Sequence, residues 1–164
     1  MTSDLATLAI RPLEQHDLPS LSDILGLSRH HIEGRWRERQ AGAHTMLVAE
    51  LDAAFAGSVS FEARDDVPGL MHLFALAVVP ELQGRGIGAR LIESVEDEAR
   101  DQALLGVYLG VAIDNQDALR LYERLGYGRV GEPYTTRWVW YGANGESREI
   151  VERCYRMLKR FAMR

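Results

Sequence analysis

Between positions 76 and 91 the chain reads Leu76-Ala77-Val78-Val79-Pro80-Glu81-Leu82-Gln83-Gly84-Arg85-Gly86-Ile87-Gly88-Ala89-Arg90-Leu91. An apolar run ending at a proline, followed by three alternating glycines, predicts a strand that passes through a tight turn into a helix. Pro80 lacks an N–H for a sheet ladder and ends the strand. Glycine admits positive φ and close approach by a ligand, and the first helical turn offers unpaired N–H groups and the positive end of a dipole. Together these suit a phosphate or pyrophosphate. A tight strand-to-helix turn without a ligand is the plainer reading of the same three glycines.

Two familiar phosphate motifs do not match. A P-loop needs a Gly-Lys-Ser/Thr ending, and the only lysine in the chain is Lys159. The dinucleotide fingerprint needs its third glycine one position beyond Gly88.

Outward from this turn, Leu70 to Val79 is apolar at nearly every position except His72, as expected of a strand covered on both faces. Gly86 to Gln102 is an amphipathic helix with Ile87, Leu91, Ile92, Val95 and Ala99 on one side. Leu104–Ile113 follows as a strand, and Asn115–Leu125 as a helix closed by Gly126. Upstream, Leu5–Pro12 predicts an opening strand, and Leu18, Leu21, Ile24 and Leu25 a helix. His30–Gln40 predicts a second, polar, short helix. His44–Leu51 and Ala53–Ala63 read as strands joined by a turn near Asp52. Tyr134–Tyr141 and Ile150–Phe161 flank Gly142-Ala-Asn144-Gly145, a hairpin signal. The order is strand, two helices, three strands, helix, strand, helix, hairpin. It predicts a mixed α/β (α+β) fold with an antiparallel front half rather than a regular βαβ array.

The 164 residues carry 19 Lys plus Arg against 24 Asp plus Glu, a net charge of −5. This length fits one domain spanning 1–164, and no linker or repeat divides it. The acidic balance argues against nucleic acid as a general partner. No stretch approaches the roughly 18 apolar residues that cross a bilayer, and the first residues lack the basic and apolar regions of a secretory signal. With Cys154 as the single cysteine, the chain has no internal disulfide, and a cytoplasmic location is expected.

Asn115 and Tyr122 sit two turns apart at the start and middle of the helix that follows the next strand, so they project to one side. Taken singly, Asn115 reads as an N-cap and Tyr122 as a core aromatic. Taken with Leu-Ala-Val-x-Pro, Gln83-x-x-Gly86-x-Gly88 and Leu121-Tyr122-Glu-Arg-Leu-Gly126-Tyr127, they resemble the GNAT (GCN5-related) N-acetyltransferase superfamily. The specific part of the likeness covers about Leu70 to Tyr127, and the element order follows the same fold along essentially the whole chain.

The resemblance implies a central, mixed, mostly antiparallel sheet of about seven strands flanked by about four helices. It implies acetyl-CoA as co-substrate, with no metal. The pantetheine arm would pair like an added strand with Leu76, Ala77 and Val78, where a bulge splays this strand from the next. The pyrophosphate would lie on main-chain amides from Gly84 through Arg85, Gly86, Ile87 and Gly88 to Ala89, with Gln83 in the same motif and Arg85 and Arg90 adding charge. Asn115 would contact the CoA arm, and Tyr122 would protonate the leaving thiolate.

The reaction implied is direct attack by a neutral amine on the thioester in a ternary complex. An N–H near Val78 would meet the oxyanion, and a base would take the amine's proton. Some relatives place a glutamate in the strand before the Asn position, but here that place is Gly110, which has no side chain. Glu62, His72 and a water chain are the alternatives, and His72 has an ordinary pKa suited to the task. A solvated Glu62 and a merely hydrogen-bonded His72 remain open readings. Cys154 is expected to be a strand residue, not a nucleophile.

The helical pair between Leu18 and Gln40 would cover the acceptor groove, and Arg29, His30, His31, Arg35, Arg37 and Arg39 make it locally basic. Such a rim suits an anionic acceptor or is a solvated helix face. Trp138 and Trp140 share a hairpin face that suits the acceptor cleft, core packing or a homodimer contact. The acceptor, a small-molecule or peptide amine, is not identified by the sequence. A non-catalytic acyl-CoA-binding or sensing module is the alternative function, because Gly110 leaves the expected base position empty.

Overall fold

The computed structural model describes residues 7–142 and 144–162. The chain forms β1 (Leu8–Pro12), α1 (Leu18–Leu25), α2 (Arg29–Gln40), β2 (Thr45–Leu51), β3 (Ala54–Ala63) and β4 (Leu70–Val78). It continues through α3 (Ile87–Asp101), β5 (Gly106–Ala112), α4 (Gln116–Arg124), β6 (Gly128–Tyr141) and β7 (Ser147–Arg160). Of the expected opening strand, Leu5 and Ala6 lie outside the described residues, as does Ala143 of the hairpin turn.

The seven strands make one sheet in the order β1-β2-β3-β4-β5-β7-β6. Every neighbouring pair is antiparallel except β4 and β5. This is the mixed, mostly antiparallel sheet with four helices that the resemblance implies. No described helix is long and apolar enough to cross a membrane.

Side-chain alternation decides what each face does. Met71 and Leu73 of β4, Val107, Leu109 and Val111 of β5, and Met157 of β7 enter one core together with Ile87, Leu91, Ile92, Val95 and Ala99 of α3. Those five α3 side chains are at most 1% exposed, the apolar side that helical spacing predicts. On the other face, α1 and α2 pack over the β2 region through Leu21, Leu27, Ile32, Met46 and Val48, with Phe55 of β3 against the same cluster.

His72, Phe74, Tyr108 and Gly110 point to this second face, where no helix of the α3–α4 layer reaches them. The expectation that β4 is covered on both faces is therefore corrected. Only Met71 and Leu73 of its nine residues are buried; Phe74 lines a cavity, while Leu76 and Val78 pack half-buried against the α3 core.

The hairpin is longer than predicted. β6 begins at Gly128 because a bulge carries it past Gly131 and Pro133, so that Val130 faces Arg156 and Tyr134 faces Cys154. The turn near Asp52 is a two-residue loop, with Asp52 and Ala53 both at positive φ, the geometry that matches strand twist.

Buried Glu96 of α3 ties the layers together. It receives Lys159 Nζ at 3.1 Å and the Tyr127 hydroxyl at 3.1 Å.

Candidate active site

β4 and β5 pair only from Leu70–His72 to Gly106–Tyr108. Beyond that point β5 continues beside β7 alone, so the two parallel strands splay apart. The cause lies in β4: Ser58 of β3 faces Ala77 while Ser60 faces Phe74, so two steps on β3 span three on β4. Ala75 takes φ +53° to make this bulge, a conformation that costs a non-glycine residue energy.

Past the bulge, the Val79 amide donates to Ala56 O at 2.8 Å. Alternation then turns the main-chain groups of Leu76 and Val78 away from β3, toward the gap. Gln83 Nε2 donates to Val78 O at 3.3 Å from the gap side.

At the end of this edge, Gly84 and Gly86 adopt φ of +79° and +85°, values that L side chains resist. The first helical hydrogen bond of α3 runs from the Arg90 amide to Gly86 O. The amides of Ile87, Gly88 and Ala89 thus precede the ladder and face outward from a 15-residue helix. The Ile87 side chain lies in the core, leaving only its amide for a ligand. Arg85 is exposed, whereas Arg90 lies 3.8 Å from Glu93. These features fit a diphosphate joined to an extended amide-bearing arm: N–H groups at one end and an unpaired strand edge at the other.

Asn115 caps α4, its Oδ1 accepting from the Ala118 amide at 3.2 Å; the cap reading holds, and its side-chain nitrogen remains. Tyr122 is 7% exposed and meets Tyr127 edge-on at 5.8 Å. Burial pushes its phenol up to about 12. No hydrogen bond among the described residues uses its hydroxyl, so the side chain is held by packing and the donor stays available.

On the opposite face a cavity of about 810 Å³ lies between α1–α2 and the hairpin, open to the β4–β5 splay through Leu73, Ala75 and Leu109. His72 lines it, stacked between Phe74 at 5.1 Å and Tyr108 at 4.8 Å. Its Nδ1 lies 3.4 Å from Glu62 Oε1, across the β3–β4 pair. A carboxylate only accepts, so the neutral ring carries its proton on Nδ1 and its lone pair on Nε2. Burial holds the His72 pKa below the ordinary histidine value, against the opposing pull of Glu62. Glu62 itself lines a neighbouring cavity of about 500 Å³ with His44 and Arg35. The two base candidates therefore touch each other but face different spaces, and only His72 faces the larger one.

Gly110 is not an empty position. A side chain there would collide with the Tyr134 hydroxyl from the hairpin. Arg156, directly across β7 from Gly110, holds its guanidinium 5.0 Å from the Tyr134 ring centre. Sequence reasoning missed Tyr134 and Arg156. The available signal was that the gap at Gly110 needs a filler, and that Arg156 shares a strand face with Cys154. Trp138 lines the cavity, whereas Trp140 packs on the core beneath α1 and α2, so the tryptophan pair divides between two tasks. Cys154 is buried in β7, and burial raises its thiol pKa, which leaves it a poor nucleophile.

The model of the acetyltransferase (GNAT) family matches residues 8–127. The chain belongs to this family. It is 30% identical over 115 residues to a mycothiol acetyltransferase of Rhodococcus jostii (strain RHA1), covering 61% of this chain and 38% of that protein. It is 32% identical over 95 residues to the L-amino acid N-acyltransferase MnaT of Escherichia coli (strain K12), covering 56% and 55% respectively. The chain thus spans about half or less of these relatives' lengths. Its fold matches yncA, a putative acetyltransferase from Salmonella typhimurium solved with acetyl-CoA. That match has a TM-score of 0.72 at 19% identity and covers 94% of each chain.

Proposed function

We propose that this chain is an acetyl-CoA-dependent N-acetyltransferase that acetylates a primary amine by direct attack in a ternary complex. The observation that carries this is the β4–β5 splay. One opening joins an unpaired strand edge and a glycine-rich helix start to a polar cavity on the far face of the sheet. Donor and acceptor can then meet in the gap from opposite sides.

Leu76, Ala77 and Val78 hold the donor's arm along the edge of β4. Gln83 secures the end of that edge, and the amides from Gly84 to Ala89, with Arg85, hold the diphosphate. Asn115 contacts the arm through its side-chain nitrogen. When bound, acetyl-CoA supplies the thioester and leaves as the free thiol.

His72 Nε2 accepts the proton shed by the amine, directly or through a water, and Glu62 fixes the ring's tautomer from behind. The Val78 amide faces the carbonyl oxygen as negative charge develops there. As the C–N bond forms and the C–S bond breaks, Tyr122 donates to the departing sulfur. A phenol held at about 12 lies above an ordinary thiol at about 8.5. The hydroxyl therefore acts first as a hydrogen-bond donor. The net proton passes from amine nitrogen to sulfur, and no covalent enzyme intermediate is needed.

Residues 1–164 act as one domain in this account, and the free Cys154 suits a reducing, cytoplasmic setting. The test is thiol release from acetyl-CoA across an amine panel. Release that depends on the amine, with one N-acetyl product per thiol, is expected. Acetyl-CoA binding without amine-dependent release across the panel would favour a sensing module of the same fold.

A further inference from the structure

The geometry points to an acceptor that carries a carboxylate beside its amine, with Arg156 as the residue that recognises it, an inference that rests on the acetyltransferase reading above.

The cavity of about 810 Å³ is lined by three arginines, Arg35, Arg64 and Arg156, and by two carboxylates, Asp66 and Glu152. Arg64 is already committed: its Nε and Nη2 donate to the two oxygens of Asp66 at 2.8 and 2.9 Å. That removes one cation and one anion from what a ligand meets. Arg35 and Arg156 form no ion pair with any described carboxylate. Other hairpin arginines do, Arg137 with Glu149 at 3.0 Å and Arg129 with Glu123 at 3.3 Å. Two unpaired guanidinium groups thus face one cavity with Glu152 as the remaining acid. Burial lowers the pKa of His31 and His72 on the same walls, so neither needs an anion at neutral pH.

Arg156 has the geometry of a reader. Its guanidinium lies 5.0 Å from the centre of the Tyr134 ring and 6.0 Å from that of Tyr108. The aromatic faces position its plane, and the Tyr134 hydroxyl lies close enough to take one N–H, which leaves the rest of the fork for a ligand. Across the strand pair stands Gly110, which adds no side chain of its own; the Tyr134 hydroxyl is the neighbouring group on that side. A planar carboxylate matches such a fork with two parallel hydrogen bonds. Arg35 supports the same sign of field from α2. Its pKa is lowered by burial, against the pull of Glu38.

Glu152 is the one remaining acid, on the same face of β7 as Arg156, four residues and about 13 Å away along the strand. A polyamine finds a single unpaired acid and two unpaired arginines, which opposes its entry.

The test is calorimetric titration of the CoA-saturated protein with matched pairs that differ by one carboxylate. The pairs are glycine and methylamine, L-methionine and 3-(methylthio)propylamine, and L-phenylalanine and 2-phenylethylamine, with O-phosphoethanolamine and spermidine as further arms. In at least one pair the carboxylate member is expected to bind at least tenfold tighter, with no pair reversed. Arg156→Ala should bring that ratio to about one, and Arg156→Lys should retain part of it. CoA affinity and the thermal midpoint should be unchanged in both variants.

Equal or weaker binding of every carboxylate member, tighter binding of phosphoethanolamine or spermidine, or a ratio that survives Arg156→Ala overturns the proposal. If CoA itself fails to bind, the acetyltransferase reading falls separately. The same pairs titrated into the free protein still report whether Arg156 selects a carboxylate.

Discussion

The hydroxyl of Tyr134 stands where a side chain at Gly110 would have to begin, with Tyr134 Cζ 3.4 Å from that same point. A Cβ at position 110 therefore clashes with the hydroxyl but only touches the ring. Gly110→Ala should cost about 1–3 kcal/mol, the usual range for overpacking, and lower turnover by shifting Tyr134 in the cavity. In a Tyr134→Phe background the same substitution should cost at least 0.5 kcal/mol less, as expected of directly coupled sites. Urea denaturation of the four proteins in this cycle measures the coupling. Simple additivity would separate the two residues.

Tyr122→Phe keeps the packed ring and removes only the donor. Turnover should fall about 10²-fold or more, as expected for loss of a positioned acid, while acetyl-CoA affinity changes little. With the phenol held at about 12, the wild-type rate should show no loss from tyrosine ionisation up to about pH 11. A falling limb near pH 10 would indicate an unperturbed phenol. Steady-state kinetics on both proteins across this range provides the check.

His72 governs the acid side. Its pKa is depressed chiefly by burial, so the neutral base persists below the ordinary histidine range. Besides the fall of kcat/KM set by protonation of the acceptor amine at higher pH, a second limb should lie below the ordinary histidine range, and His72→Gln should abolish that limb. Glu62 acts in the opposite sense, raising the His72 pKa. Glu62→Gln should therefore move the limb to still lower pH and reduce kcat modestly. A limb that moves upward instead would contradict the pairing.

Much of this arrangement is legible in sequence because it is local. The α3 core side, the proline-ended strand and the glycine turn each lie within a few consecutive residues, and helical spacing alone identifies the five buried apolar positions of α3, though not buried Glu96. The bilateral covering expected for β4 failed for a physical reason. Phe74 is apolar because it lines a cavity, and composition alone does not separate a core wall from a cavity wall.

Tyr134 over Gly110 and Arg156 was out of reach for another reason. It depends on a bulge between Val130 and Tyr134 that sets the hairpin register. The Gly-Glu-Pro stretch in that bulge reads as loop. Where such a bulge falls decides which side chains meet across β5 and β7.

Lys159, the chain's only lysine, faces buried Glu96. Lys159→Met leaves that carboxylate with the Tyr127 hydroxyl alone and should cost about 2–3 kcal/mol. This lies below the 3–5 kcal/mol typical of a fully buried pair, because Lys159 is 26% exposed. Glu96→Gln keeps an acceptor for both donors and should cost less. Denaturant midpoints with an unchanged slope rank the two, and the reverse order would remove this pair from the core's support.

Donor binding along the splayed edge of β4 is tested most directly by residue-resolved amide exchange with and without acetyl-CoA. The amides of Leu76 and Val78 and those from Gly84 to Ala89 should gain protection together at saturating acetyl-CoA, while the outer edge of β6 stays unchanged. Protection confined to other strands, or acetyl-CoA binding that leaves Leu76 and Val78 exchanging as before, would contradict the account.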